Sequence, residues 1–121
     1  MANVLAVDDS PSIRQLVSMT LQGAGHSVQT AEDGVIALEL AQTFNADLVI
    51  TDVHMPNMDG ITLTSELRNL PGYRYKPILV LTTESSDEMK QKGKSAGATG
   101  WIVKPFDPQS LLNVMEKVLT R

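Results

Sequence analysis

The sequence predicts an α/β protein in which a five-stranded parallel sheet is doubly wound, with helices on both faces. Short apolar runs alternate five times with segments whose apolar residues recur at helical spacing, and this alternation is typical of a parallel sheet covered on both sides. The run at residues 48–50 is unbroken and rich in β-branched side chains, which indicates a strand buried in the middle of the sheet. Asp52 follows it, at the edge where open parallel sheets bind ligands. Taken alone, an aspartate at this position is equally consistent with a turn.

Length and composition indicate one globular domain. The chain of 121 residues suits a single unit, so we expect residues 1–121 to form one domain without a separate output domain. A hydrophobic content of 42% is sufficient for a core. The absence of cysteine excludes disulfides and a zinc site with thiolate ligands.

Charge and hydropathy exclude two further classes of protein. A net charge of −4 argues against a nucleic-acid-binding surface, which requires a basic patch. The first eight residues lack the basic region and the long apolar run of a signal peptide, and no stretch approaches the apolar length of a membrane span. We therefore expect a cytoplasmic monomer that binds neither membranes nor nucleic acids.

The candidate strands are five short runs with β-branched or aliphatic residues. The second is half-polar, as expected for a strand at the edge of a sheet, and the others are apolar. The predicted strands are residues 4–7, 27–31, 48–50, 78–81 and 100–103.

The first two helices have clear start signals. Ser10 and Pro11 open the first, because proline suits the first turn of a helix, and Gly23 ends it. The second follows Gly34. The side chains expected to face the sheet are Ile13, Leu16, Val17 and Leu21 in the first helix and Val35, Leu38 and Leu40 in the second.

The other three helices differ in the apolar area that they can bury. The third follows Gly60, and Asp107 caps the fifth. The fourth, at residues 86–96, has little apolar surface, so we expect it to be among the less rigid elements. The inward-facing residues are predicted to be Leu63, Leu67 and Leu70, then Met89, Gly93 and Ala96, then Leu111, Leu112, Met115, Val118 and Leu119.

Polar residues with complementary chemistry stand at the ends of four predicted strands. Asp8 and Asp9 follow the first strand, Asp52 the third, Thr82 the fourth and Lys104 the fifth. Because the carboxyl ends of parallel strands meet at one edge, these five side chains should lie together. The sequence therefore predicts one site built from residues far apart in the chain.

The residue types at this edge suit phosphoryl transfer. Three neighbouring carboxylates repel one another unless a cation is present, and hard oxygen ligands favour Mg²⁺. Asp52 is the candidate nucleophile, since carboxylates can form an aspartyl phosphate. Lys104 and Thr82 are expected to hold phosphoryl oxygens through hydrogen bonds.

Four motifs in the right order and spacing resemble those of response-regulator receiver domains, most closely the single-domain chemotaxis (CheY-like) branch. They lie at residues 7–9, at Asp52 with residues 55–60, at residues 81–84 and at residues 100–106. Each motif is weak alone, but the four together cover nearly the whole chain.

The resemblance implies a flavodoxin-like strand order of 2-1-3-4-5 and a signalling role rather than that of an ordinary enzyme. Asp52 would accept a phosphoryl group from a CheA-like histidine kinase and later lose it by autodephosphorylation. Mg²⁺ would be bound by Asp9, Asp52 and the backbone carbonyl of His54, with Asp8 beside it. The bond between Lys104 and the following proline would be cis.

The resemblance also implies a switch and a partner-binding surface. Thr82 and Trp101 would be the switch residues, and the surface would comprise the fourth helix, fifth strand and fifth helix. A flagellar motor switch component or a phosphatase is the first expectation for the downstream partner, and a phosphate sink or a pilus-type pathway is the second. Receiver domains usually have tyrosine or phenylalanine at the position of Trp101, and the larger indole could crowd the inward state.

Two other classes remain as alternatives. A Mg²⁺-dependent phosphatase of the haloacid dehalogenase type also uses an aspartate nucleophile, but it needs a second aspartate where this chain has His54. A nucleotide- or flavin-binding module needs a glycine-rich first turn, whereas this turn is acidic. His54 itself is expected to contribute its backbone; its side chain and that of Glu84 could also shield the phosphoryl group from water.

Overall fold

The computed structural model describes residues 1–83 and 86–120. Within them the five predicted strands form one parallel sheet with the order β2-β1-β3-β4-β5, which confirms the predicted class and strand order. The strands are β1 (Asn3–Val7), β2 (Ser27–Ala31), β3 (Leu48–Thr51), β4 (Ile78–Thr82) and β5 (Gly100–Val103).

A helix follows each strand. The helices are α1 (Pro11–Gly23), α2 (Gly34–Thr43), α3 (Gly60–Arg68), α4 (Asp87–Ala96) and α5 (Pro108–Leu119), and a 3-10 turn spans Pro71–Tyr73. Across the described ranges, none of the helices combines the length and the apolar character needed to cross a bilayer.

The sheet separates two apolar clusters, because successive residues of a strand point to opposite faces. In β1, Val4 and Ala6 pack toward the side of α1 and α5, whereas Leu5 and Val7 pack toward α2 and α3. Every residue of β3 and β4 is buried, as predicted for central strands of a parallel sheet.

Two predicted core positions on the helices are wrong. Leu16 of α1 is 42% exposed and Val35 of α2 is 40% exposed. The buried pair in α1 is Val17 and Leu21, and residues adjacent in a helix point about 100° apart, so Leu16 turns away from the sheet. In α2 the same geometry buries small residues, which are Gly34, Ala37 and Ala41.

Side-chain caps fix the beginnings of all five helices. In each case the residue before the helix accepts a hydrogen bond from the backbone N–H three residues later, which satisfies a donor that the helix itself leaves unpaired. The capping residues are Ser10, Asp33, Asp59, Ser86 and Asp107. Every cap lies at the carboxyl edge of the sheet. The caps therefore fix where the helices begin around the site.

Candidate functional site

The carboxyl edge of the sheet brings the predicted site residues together. Strands β1, β3, β4 and β5 are neighbours in the sheet, and backbone pairing continues past their ends. The N–H of Asp52 donates to the carbonyl of Val7 at 2.9 Å, and that of Lys104 donates to the carbonyl of Thr82 at 2.8 Å. These bonds hold the residues after β3 and β5 in register with the adjacent strands.

Lys104 bridges two of the carboxylates. Its Nζ lies 2.6 Å from Oδ2 of Asp8 and 3.2 Å from Oδ2 of Asp52. The three side chains are only 11%, 7% and 10% exposed, respectively, so these charge-assisted hydrogen bonds are shielded from water. The peptide bond between Lys104 and Pro105 is cis, as the resemblance to receiver domains implied.

Burial and hydrogen bonding shift the pKa values of both Asp8 and Lys104. Burial raises the pKa of the Asp8 carboxyl, and the hydrogen bonds from Lys104 and the Ser10 N–H offset this rise only in part. Burial also acts to lower the pKa of Lys104, but the hydrogen bond to Asp8 and the charges of Asp52 and Asp8 outweigh it and raise that pKa. Lys104 therefore remains an ammonium through neutral pH.

The backbone around Asp52 is tightly constrained. Its Oδ1 accepts a hydrogen bond from the N–H of Val53 at 2.7 Å, and its carbonyl accepts one from the hydroxyl of Thr51 at 2.8 Å. A β-carbon at Gly60 would overlap the carbonyl oxygen of Asp52. Only glycine fits at this start of α3, which brings the end of the loop back against its beginning.

Asp8 has a second set of contacts that sequence reasoning missed. Its Oδ1 accepts a hydrogen bond from the N–H of Ser10 at 2.9 Å, and its carbonyl accepts one from Nη1 of Arg14 at 2.6 Å. Arg14 sits one turn into α1, where a lone arginine gives no sequence signal for a backbone contact. These bonds tie the first turn of α1 to the site.

The acidic residues fit a divalent cation. Among the described residues, Asp8, Asp9 and Asp52 place carboxylate oxygens within 4.8 Å of one another, with Asp9 exposed and the other two buried. Three formal negative charges against one positive charge on Lys104 leave two negative charges, and all donors are hard oxygens, as Mg²⁺ prefers. His54 lies two residues after Asp52 in the loop that leads to α3, and the residue is exposed.

The two predicted switch residues occupy different environments. Thr82 is completely buried at the end of β4, opposite Val103 in the sheet register. Trp101 is half-buried, and its indole lies against Gly93 of α4. Glu84, which was expected to help shield the phosphoryl group, lies outside the described residues.

A hollow of about 230 Å³ adjoins Trp101, between α4 and β5. Lys90 and Lys94 of α4 line it and are exposed. Lys92, the remaining lysine of this helix, instead forms an exposed ion pair with Glu88 at 3.8 Å. Two lysine side chains and Trp101 therefore line this hollow, together with Ala98, Thr99 and Gly100.

An α/β sheet with an acidic, lysine-bridged cluster at its carboxyl edge defines the class of this molecule, and comparison with known proteins gives the family. The family model described as "Response regulator receiver domain" matches residues 4–116. The chain therefore belongs to the response regulator receiver domain family, which makes it a two-component signalling domain rather than a classical enzyme.

Individual relatives agree with this assignment. The chain is 34% identical to chemotaxis protein CheY-3 of Vibrio cholerae over 98% of its own length and 92% of that protein. It superimposes on the structure of chemotaxis protein CheY4 of Vibrio cholerae with a TM-score of 0.95, at 55% identity and with 98% of each chain covered.

Not all relatives are of this size. The chain spans 50% of one longer curated relative and 13% of another. A further structural neighbour is the receiver domain of the Pseudomonas aeruginosa sensor histidine kinase PA1611, which has a magnesium ion coordinated in its active site cleft. It is 25% identical, has a TM-score of 0.92 and matches over 99% of this chain and 98% of that one.

Proposed function

We propose that Asp52 accepts a phosphoryl group from a histidine kinase and that the phosphorylated domain signals through its surface. The observation that carries this proposal is the position of the Asp52 carboxylate, with Oδ2 3.2 Å from the Lys104 ammonium and its oxygens within the acidic cluster. The candidate nucleophile Asp52 therefore lies next to both a cation, the Lys104 ammonium, and the carboxylates that could bind a metal.

The transfer forms one bond and breaks one. A carboxylate oxygen of Asp52 bonds to phosphorus while the bond from phosphorus to the donor imidazole nitrogen breaks, and that nitrogen keeps the electron pair and later takes a proton from solvent. Lys104 and Thr82 donate hydrogen bonds to the phosphoryl oxygens. Lys104 can do so because its raised pKa keeps it protonated.

Asp8, Asp9, Asp52 and the backbone carbonyl of His54 are the residues that would hold Mg²⁺. When bound, the ion supplies positive charge to the phosphoryl oxygens during transfer. The two uncompensated negative charges of the cluster support this assignment, as does the magnesium ion in the related PA1611 receiver domain.

The signalling role is of the chemotaxis type. A CheA-like kinase as donor, and a flagellar motor switch component or a phosphatase as downstream partner, are supported by the two Vibrio chemotaxis proteins that match this chain over nearly its whole length. We further propose that the domain acts as a cytoplasmic monomer. The hollow between Trp101, Lys90 and Lys94 is then part of the surface that a partner contacts.

Phosphorylation with acetyl phosphate and Mg²⁺ tests the proposal. We expect intact-mass measurement to find one added phosphoryl group that hydroxylamine removes. Asp52→Asn should lose this label, whereas Asp107→Asn, which changes an exposed helix cap that is not one of the clustered carboxylates, should keep it. Labelling of Asp52→Asn at the wild-type rate would contradict the assignment of the acceptor.

A further inference from the structure

The loop that follows Asp52 is attached to the beginning of α2 by two side chains that lie outside the acidic cluster. Nδ2 of Asn57 donates a hydrogen bond to Oδ2 of Asp33 at 2.9 Å. The other oxygen of Asp33, Oδ1, accepts the capping bond from the N–H of Ile36 at 2.9 Å. Asp33 therefore uses one oxygen to begin a helix and the other to hold a loop.

The backbone of Asn57 shows why this attachment matters. Its φ of 68° is the only positive φ of a non-glycine residue in the described part of the chain. This left-handed conformation is unfavourable for most side chains and is best tolerated by asparagine and aspartate. The hydrogen bond to Asp33, a buried residue, holds the loop in this conformation.

Asp33 is well suited to this contact because it is ionised. The N–H of Ile36, followed by the amide of Asn57, lowers the pKa of its carboxyl below the ordinary value. An ionised carboxylate accepts stronger hydrogen bonds than a neutral group. The negative charge of Asp33 therefore strengthens its hydrogen bonds with the N–H of Ile36 and with the amide of Asn57.

A second contact docks the same part of the loop. The N–H of Gly34 donates to the carbonyl of Met58 at 3.3 Å, and a β-carbon at Gly34 would stand 2.6 Å from that oxygen. At the base of the loop, the N–H of Gly60 donates to the carbonyl of Val53 at 2.8 Å. The loop is thus closed at its base and attached at its far side, with His54 between the two fixed points.

We propose that Asp33 and Asn57 are positioning residues for the metal site, which act by fixing the backbone of residues 53–59. The inference rests on the proposed function, in which the carbonyl of His54 is a ligand of Mg²⁺. Asp33 is not one of the three clustered carboxylates, so its effect on the metal runs through the shape of the loop. Changes in groups that orient metal ligands typically lower metal affinity by about 10–100-fold.

Exchange of the two side-chain types gives a sharp test. In Asp33→Asn, the new Oδ1 can still cap α2, but the remaining Nδ2 faces the Nδ2 of Asn57, and two donors cannot bond to each other. In Asn57→Asp, two carboxylates face each other. The double variant Asp33→Asn with Asn57→Asp restores one donor and one acceptor, and leaves the net charge of the pair unchanged.

The readout is the apparent Kd for Mg²⁺, obtained from the metal-dependent rise in melting temperature of the whole chain. We expect each single variant to bind Mg²⁺ about tenfold or more weakly, and the double variant to return to within about threefold of wild type. Hydrogen exchange of the amides at residues 57–60 in metal-free protein should speed up in the single variants and slow down again in the double variant.

Asn57→Gly is the second variant, because glycine adopts the left-handed conformation without strain but lacks the amide that Asp33 accepts. It should weaken Mg²⁺ binding without a large loss of metal-free stability in urea. If the single variants lose metal-free stability while the Kd for Mg²⁺ stays at the wild-type value, the role of the pair is structural only and the proposal is wrong. Absence of both Mg²⁺ binding and phosphorylation in wild type would instead overturn the proposed function, and this inference with it.

Discussion

The indole of Trp101 lies over Gly93 of α4 so closely that a β-carbon at position 93 would stand 2.6 Å from Cζ3 and 3.3 Å from Cε3 of the ring. Gly93 is the buried residue of this helix. A glycine inside a helix costs about 1 kcal/mol relative to alanine, so its presence here needs a reason. The space left by the missing side chain is occupied by the large aromatic ring that follows in β5.

This packing leads to a prediction for Gly93→Ala. The added methyl group must displace the indole, and we expect a shift in the Trp101 emission maximum of the unphosphorylated protein. Overpacking costs about 1–3 kcal/mol and the better helix former returns about 1 kcal/mol, so the net loss in unfolding free energy should be about 0–2 kcal/mol. Urea unfolding followed by circular dichroism measures this loss.

Gly23→Ala is the matched control. Gly23 is also a helical glycine, at the end of α1, but a β-carbon there would have no neighbour within 4 Å. This substitution should leave Trp101 emission unchanged and stabilise the protein by up to about 1 kcal/mol. Identical behaviour of the two variants would show that Gly93 is not required by the ring.

The second prediction concerns the pH dependence of stability without metal. Burial raises the pKa of Asp8 above 3.8, so its ionised form is less favourable in the folded protein than in the unfolded chain. This penalty is complete at neutral pH and disappears below pH 3.8, where both states are protonated. Asp8→Asn in EDTA should therefore be more stable than wild type at pH 7, and its advantage should fade as the pH falls.

Thermal unfolding of both proteins between pH 3 and pH 8 measures this difference. Asp107→Asn is the control, because it removes one carboxylate from an exposed helix cap and asparagine caps equally well. It should change stability little at any of these pH values. A destabilised Asp8→Asn at pH 7 would mean that the bond to Lys104 outweighs the cost of burying the carboxylate.

The polar ends of the strands were predictable, whereas contacts to backbone groups were not. Asp8, Asp52 and Lys104 each follow an apolar run, and parallel topology alone brings such ends together. Arg68 gives the contrasting case. Its guanidinium donates hydrogen bonds to the carbonyls of Gly97 at 2.7 Å and Lys76 at 2.6 Å, and so joins the end of α3 to two loops.

Carbonyl groups occur at every residue, so no residue pattern could have identified the acceptors of Arg68. The hydrogen bond between Asp33 and Asn57 was not predicted from the sequence for a related reason. Both residues occur in segments that predict turns, and their partnership depends on how two loops at the sheet edge come together. Leu16 and Val35 were misplaced because an apolar pattern does not by itself give the rotation of a helix about its axis.

The third prediction tests the metal site through stability. Mg²⁺ should raise the unfolding free energy by mass action, by about 1.4 kcal/mol when its free concentration is ten times the Kd. Asp9→Ala should lose most of this gain, since Asp9 is one of the three clustered carboxylates. Glu66→Ala, which removes an exposed charge from α3, should retain it. An unchanged Mg²⁺-dependent melting shift in Asp9→Ala would argue against the site.

The last prediction joins the acceptor to the surface around Trp101. A phosphoryl group on Asp52 would add an anion beside Thr82 and Lys104, and each new hydrogen bond to a charged group is worth about 1.5–3 kcal/mol. A shift of a two-state equilibrium from 1:99 to 99:1 requires about 5.5 kcal/mol. Two or three such bonds are just sufficient, so the loss of one should leave the switch incomplete.

Trp101 is the only tryptophan, so its fluorescence tests the proposed switch without an added probe. We expect beryllofluoride with Mg²⁺, which takes the place of the phosphoryl group, to change its emission and its quenching by acrylamide relative to Mg²⁺ alone. Thr82→Ala should reduce this change, whereas Thr82→Ser, which keeps the hydroxyl group, should preserve most of it. If saturating beryllofluoride leaves Trp101 as it was with Mg²⁺ alone, the signal does not pass through this ring, because an indole that moved relative to Gly93 would change its exposure.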